Sequence, residues 1–292
     1  MSRHPDKRPR APRAAGAGVA AERPALGRVL AVTSGKGGVG KTGIALNLSA
    51  CLAARGNRVL LLDGDLGLGN VDVMVGLTPT RSLDQVLNGG FSLADVILEG
   101  PAGLRIIPAG TGVARLARLG KDGQRTLLAQ VAALTPPPDY LIVDTSSGIG
   151  DNVRFLAACA QEVLVVTTPE PTAVTDAYAL MKVLARTQGT RRFRLVVNLA
   201  ETEAVALEVY HRLSVVADRF LGVGLDLAGF VPPDRAVPAA VQRRNGVLTT
   251  GHAAGAMRRL AETVAGWRPG EPTHGGLQLF VNQMAEPGDS AS

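Results

Sequence analysis

Seven short apolar runs recur along this 292-residue chain: Val29–Val32, Val59–Leu62, Leu104–Ile107, Tyr140–Val143, Val163–Thr167, Phe193–Asn198 and Leu225–Phe230. Loop residues bound each run, and the stretches between them have helical patterning. Strands that are apolar at consecutive positions are covered on both faces, and strands separated by helices are joined by crossovers. The pattern predicts an α/β fold: a doubly wound, mostly parallel sheet with helices on both faces. Aromatic residues make up only 3% of a chain that is 46% hydrophobic, a usage that suits helix-covered strands better than a sandwich of exposed sheets.

Ligands in such folds bind at the carboxyl ends of the strands, so the loops after strands carry the chemistry. The first is GKGGVGKT, running from Gly35 through Lys36, Gly37, Gly38, Val39, Gly40 and Lys41 to Thr42. It satisfies both the dinucleotide pattern G-x-G-x-x-G and the phosphate-loop pattern G-x-x-x-x-G-K-S/T. Asp63 even lies near where a dinucleotide fold places its ribose-binding acid. Chemistry separates the two readings. A pyrophosphate needs only glycines and a helix N-terminus, whereas a triphosphate with Mg²⁺ needs a cation and a hydroxyl ligand as well. Lys41 and Thr42 supply both, which predicts ATP and Mg²⁺ as cofactors. The helix that follows is expected from about Lys41 to Ala54, with Ile44, Leu48, Cys51 and Leu52 on one buried stripe and Gly56 as its stop.

Two acidic loops follow strands where a phosphate-loop enzyme requires them. Asp63-Gly64-Asp65 ends the second run, and Asp144 ends LIVD. One such acid can hold Mg²⁺ through water and another can orient the attacking water. Asp63, Asp65 and Asp144 are the candidate acids for these two roles.

The net charge of +6 and pI near 9.8 invite a nucleic-acid or membrane reading. Six basic side chains (Arg3, Lys7, Arg8, Arg10, Arg13, Arg23) against Asp6 and Glu22 place +4 of it in residues 1–27. That stretch is rich in Ala, Pro, Gly and Arg without periodicity, so a disordered tail is expected, either simply solvated or a docking arm. It has neither the apolar stretch of a signal peptide nor the amphipathic repeat of a transit peptide. One ATPase domain is expected over residues 28–268, followed by a tail over 269–292. There Leu277, Phe280, Val281 and Met284 fall at i, i+3, i+4 and i+7, the pattern of a short amphipathic helix. No apolar run is long enough to span a bilayer, so a soluble, cytoplasmic protein is expected. Cys51 and Cys159 are the only cysteines, neither has a C-x-x-C partner, and the four His are scattered. This argues against a disulfide framework, a zinc site and an iron–sulfur cluster held within one chain.

Over roughly residues 28–265 the chain resembles the deviant Walker A ATPases of the ParA/MinD superfamily. The added mark is Lys36, directly after the first loop glycine. The resemblance implies a face-to-face homodimer when ATP is bound, in which Lys36 reaches the partner's phosphates and Lys41 acts in cis. The segment from Asp63 to Leu77 is similar to switch I, with Asp65 orienting water. The segment from Asp144 to Asp151 is similar to switch II, with Ser146-Ser147 where a small-residue pair is usual. Asn198 and the Pro232-Pro233-Asp234 loop match positions that frame the adenine.

Three stretches, residues 151–184, 193–198 and 213–244, resemble the FlhG/FleN flagellar-number regulators in particular. They imply a switch ATPase controlling flagellar number or placement. Its reader would be the polar flagellar GTPase, a basal-body component or a flagellar transcriptional activator. The N-terminal segment lacks the glutamine-containing motif that some members use on the GTPase. Relatives use a C-terminal helix as a reversible membrane anchor, which implies peripheral contact at the inner face of the cell membrane. Here the polar face of that helix carries no Lys or Arg, which weakens attraction to anionic lipid, and packing back on its own domain is the other reading. A DNA-partitioning or nucleoid-binding ATPase and a MinD-type division-site ATPase are the alternatives on this fold, with nucleic acid the less favoured partner. A redox or metal-cluster carrier needs bridging cysteines that Cys51 and Cys159 do not supply.

Overall fold

The computed structural model describes residues 27–65, 69–118 and 120–267, so the basic segment of residues 1–26 and the amphipathic segment from Leu277 to Met284 lie outside the described residues. Eight strands form one sheet: β1 (Arg28–Ser34), β2 (Val59–Gly64), β3 (Leu98–Glu99), β4 (Arg105–Ile107), β5 (Tyr140–Ser147), β6 (Glu162–Thr167), β7 (Arg192–Asn198) and β8 (Gly224–Val231). The helices between and around them are α1 (Lys41–Ala54), α2 (Val71–Val75), α3 (Leu83–Leu87), α4 (Thr111–Arg118), α5 (Lys121–Ala132), α6 (Asp151–Ala158), α7 (Pro171–Gln188), α8 (Glu203–Leu221), α9 (Ala236–Gln242) and α10 (Gly251–Gly266).

The strand order is β3-β4-β2-β5-β1-β6-β7-β8. All seven apolar runs are strands, and every pairing among them is parallel. The eighth strand, β3, is an antiparallel edge of two residues, too short to leave a periodicity in the sequence. The chain builds outward from β1 on one side through β2 and β4, then on the other through β6, β7 and β8. The loop after β1 therefore sits where the winding reverses, the crevice in which such folds bind ligands.

Alternate residues of each strand feed opposite faces, as the pleat requires. Leu30, Val32, Leu61 and Ile142 pack under α1 and α10, while Ala31, Leu60, Leu62 and Val143 pack on the other side with Phe155 and Leu156 of α6. A third cluster, with Phe193, Leu195 and Val197, is covered by α7 and α8. A fully buried Leu of this kind contributes about 2 kcal/mol by leaving water.

Helix α1 has the predicted bounds but not the predicted one-sided burial. Ten of its residues, from Lys41 to Ala53, are buried around most of the helix. Its outer side is covered by α10 and by the segment before it: Asn47 Nδ2 donates to Gly246 O at 3.0 Å, and Leu248 N donates to Asn47 Oδ1 at 2.7 Å. Cys51 lies at the margin of this cover and is half-buried rather than in the core, with burial raising its thiol pKa. Cys159 is fully enclosed, and burial pushes it up to about 12.

The two ends of the described fold are tied together. Gly27 N donates to Pro138 O at 3.1 Å. Arg28 Nη1 donates to Val264 O at 2.9 Å and its other terminal nitrogen donates to Trp267 O. The Arg194 guanidinium lies 4.6 Å from the Trp267 ring centroid. Among the described residues no helix is long and apolar enough to cross a membrane.

Candidate nucleotide-binding site

The loop from Gly35 to Gly40 turns back on itself because Gly38 and Gly40 take φ of 79° and 86°, values a side chain resists. Tight packing constrains Gly35 and, again, Gly40. A Cβ on Gly35 would lie 2.0 Å from Asp176 O in α7, and one on Gly40 would lie 2.3 Å from Asn198 Nδ2. Asn198, at the end of β7, donates from Nδ2 to Val39 O at 2.8 Å, so its buried amide braces the loop from behind. Gly40 caps α1, whose first amides and positive dipole end point toward the loop.

Lys41 opens α1 with its side chain directed inward. Its Nζ donates to Asp144 Oδ1 at 2.7 Å, and it lies 3.4 Å from Thr42 Oγ1. Lys41 is 5% and Asp144 0% exposed, so this is a buried ion pair. Asp144 sits within β5 rather than at its end, in register with Asp63 of β2. Burial raises the Asp144 pKa, and the Lys41 charge and hydrogen bond oppose that rise. Its second oxygen, Oδ2, is buried without a hydrogen-bond partner. The unpaired carboxylate oxygen and the nearby Thr42 hydroxyl are oxygen donors of the kind a hard cation takes. Burial lifts Asp63 to about 6, against hydrogen bonds from the Val71 and Asp65 amides. Its Oδ1 accepts from Asp65 N and its Oδ2 from Val71 N, each at 3.1 Å. The carboxylate of Asp63 thus holds the backbone of Asp65 and of Val71 at the start of α2.

Lys36 points away from Lys41. Its Nζ donates to Glu170 Oε1 at 2.6 Å and Thr172 Oγ1 at 2.7 Å, at the start of α7. The hydrogen bonds from Lys36 and Thr172 hold the Glu170 carboxyl below its ordinary range. Sequence reasoning missed Glu170 and Thr172, whose only local signal is an acid before Pro171 at a helix start. The segment from Asp144 to Asp151 is stitched to the end of β1, just before the phosphate loop: Gly148 N donates to Ser34 O at 2.8 Å, and Thr145 Oγ1 donates to Thr33 Oγ1 at 3.0 Å.

The Pro232-Pro233-Asp234 loop follows β8, beside Asn198, which is in register with Val231. The carboxylate of Asp234 is engaged by backbone, accepting from Ala236 N at 2.8 Å and Ala253 N at 3.1 Å. Leu199, next to Asn198, is half-exposed and adopts a left-handed φ of 57°. The geometry thus gathers the phosphate loop, the three acids Asp63, Asp65 and Asp144, and the Asn198 and Pro232 to Asp234 loops at one end of the sheet.

A family model described as an AAA domain matches residues 27–197. The antiactivator FleN of Pseudomonas aeruginosa is 42% identical over 262 residues, covering 89% of this chain and 94% of FleN. The chain belongs to the FleN/FlhG group of ParA/MinD-type ATPases. FleN/FlhG membership is supported by the flagellum site-determining protein YlxH of Helicobacter pylori, 33% identical across 65% of this chain and 64% of YlxH. The FleN/FlhG chain also shares its fold with the septum site-determining protein MinD of Pyrococcus horikoshii, solved with Mg-ADP. The TM-score is 0.65, the identity 24%, and the match covers 82% of this chain and 97% of MinD.

Proposed function

We propose that this chain is a Mg²⁺-dependent switch ATPase that dimerises on ATP, returns to the monomer on hydrolysis, and thereby sets flagellar number and placement. The observation that carries this reading is the near full-length match to FleN, at 42% identity, in a chain whose phosphate loop is complete. The proposed ATPase domain spans residues 28–268, with flanking tails at 1–27 and 269–292.

The roles are those that the family resemblance implies for residues at these positions. Loop amides from Gly35 to Gly40 face the phosphates, and Lys41 exchanges Asp144 for the terminal phosphates when nucleotide enters. Thr42 and Asp144, with Asp63 beside them, form the metal side, where Mg²⁺ supplies charge neutralisation when bound. Asp65 orients the attacking water. Lys36 leaves Glu170 and reaches the nucleotide of the partner copy. Asn198, Pro232, Pro233 and Asp234 flank the base. The relative's name, antiactivator, favours an activator protein as the reader of the switch, ahead of a polar GTPase or a basal-body component.

The test is a deletion strain in which flagella are counted by electron microscopy and chromosome foci are scored in the same cells. Altered flagellar number or position with normal chromosome partition is expected. Normal flagella with missegregated DNA would move the chain to the partitioning class.

A further inference from the structure

Helix α6 follows the switch II loop directly and is gripped from both sides. Gln124 Nε2 of α5 donates to Phe155 O at 3.3 Å, and Gln188 Nε2 at the end of α7 donates to Arg154 O. Above α6, between the α4–α5 junction and the end of α7, lies an open cleft of about 480 Å³. Arg118, Lys121, Asp151 and Arg154 line it, with Phe155 and Ala158 as an apolar strip. Arg154 is paired with Asp151, the only carboxylate in the lining. Arg118 and Lys121 are exposed and have no ion-pair partner among the described residues. The Arg154 Nε is buried without an acceptor, so its guanidinium gains by turning outward onto an incoming carboxylate.

We infer that this cleft is a docking site for an acidic peptide segment of a partner protein. Two unpaired cations and a third held by a single aspartate call for carboxylates, and the apolar strip accepts a small side chain between them. The small footprint, confined to the α4–α5 junction, α6 and the end of α7, fits a peptide rather than a duplex or a bilayer, both of which engage broad basic surfaces. Because α6 continues from switch II, the nucleotide state sets the position of the cleft floor. That regulatory sense rests on the switch reading, whereas binding of the peptide does not.

The experiment measures fluorescence anisotropy of a fluorescein-labelled peptide of alternating Glu and Ala, added to the full chain without nucleotide, with ADP and with ATP. A Gln-Ala peptide is the neutral control. Saturable binding that weakens with added salt is expected, together with a loss of about tenfold or more in the Arg118→Glu/Lys121→Glu variant, whose ATP binding stays as in the parent. The proposal is overturned by absent or non-saturable binding, by equal binding of the Gln-Ala peptide, or by undiminished binding to the variant. It is equally overturned if phosphatidylglycerol vesicles or duplex DNA bind more tightly than the peptide and depend on the same two residues. A chain that dimerises with ATP yet ignores the peptide keeps the switch reading and loses this one.

Discussion

Lys41 and Asp144 are both closed to solvent, so removing the lysine strands a charge that water cannot reach. Lys41→Met is expected to abolish ATP binding and to cost the nucleotide-free fold about 3 kcal/mol at neutral pH. The first effect is read with a fluorescent ATP analogue and the second by urea unfolding. The Asp144 pKa is already raised, so the folded state takes up its proton before the unfolded chain does, and the stability cost shrinks as pH falls. Full ATP binding by folded Lys41→Met protein would reject the phosphate-loop assignment. Asn198→Ala removes the donor to Val39 O and is expected to cost about 1 to 3 kcal/mol of stability and to weaken ATP binding. The same variant with parental affinity in titration calorimetry would show that the brace is dispensable. Lys41 and Thr42 were legible in the sequence because their chemistry is local to the loop. The hold of Asn198 on Val39, across 159 positions, and the contact between Lys36 and Glu170, across 134, were not, since only the folded sheet brings these pairs together.

Asp234 shows how one residue can serve two elements. Its carboxylate accepts amides from the first turns of α9 and α10, and those hydrogen bonds, Ala236 first and Ala253 next, hold its pKa below the usual carboxylate range. A depressed folded pKa means stability that is present above the unfolded value of 3.8 and is lost as pH falls through the folded one. Asp234→Ala is therefore expected to lower Tm at pH 7 and to converge with the parent once the pH has fallen well below the folded pKa of Asp234. A Tm difference that persists unchanged in acid would refute this account. The strands were readable because burial on both faces leaves unbroken apolar runs. The all-round burial of α1 was not, because its outer cover comes from residues some two hundred positions later, Gly246 and Leu248. Helices α2 and α6, of 5 and 8 residues, are too short to stand without tertiary support.

At the scale of the whole molecule, the proposed dimerisation on ATP separates the lysines. Lys36→Ala is expected to bind ATP as a monomer, while Asp65→Ala is expected to bind ATP, dimerise and hydrolyse slowly, because water orientation acts on the transition state. Native mass in solution with ATP, with ADP and without nucleotide distinguishes them. A Lys36→Ala dimer, or parental turnover in Asp65→Ala, would reject the corresponding role. The bonds from Arg28 to Val264 and Trp267 carry a separate consequence. The start of the sheet's central strand and the end of α10 are neighbours, so the described residues come close to a closed ring of chain. Joining residues 27 and 267 through a short linker and reopening the ring at an exposed turn such as Gly89-Gly90 should give a permuted protein that keeps its melting profile and ATP binding, because the pinned ends supply the closure before any linker does.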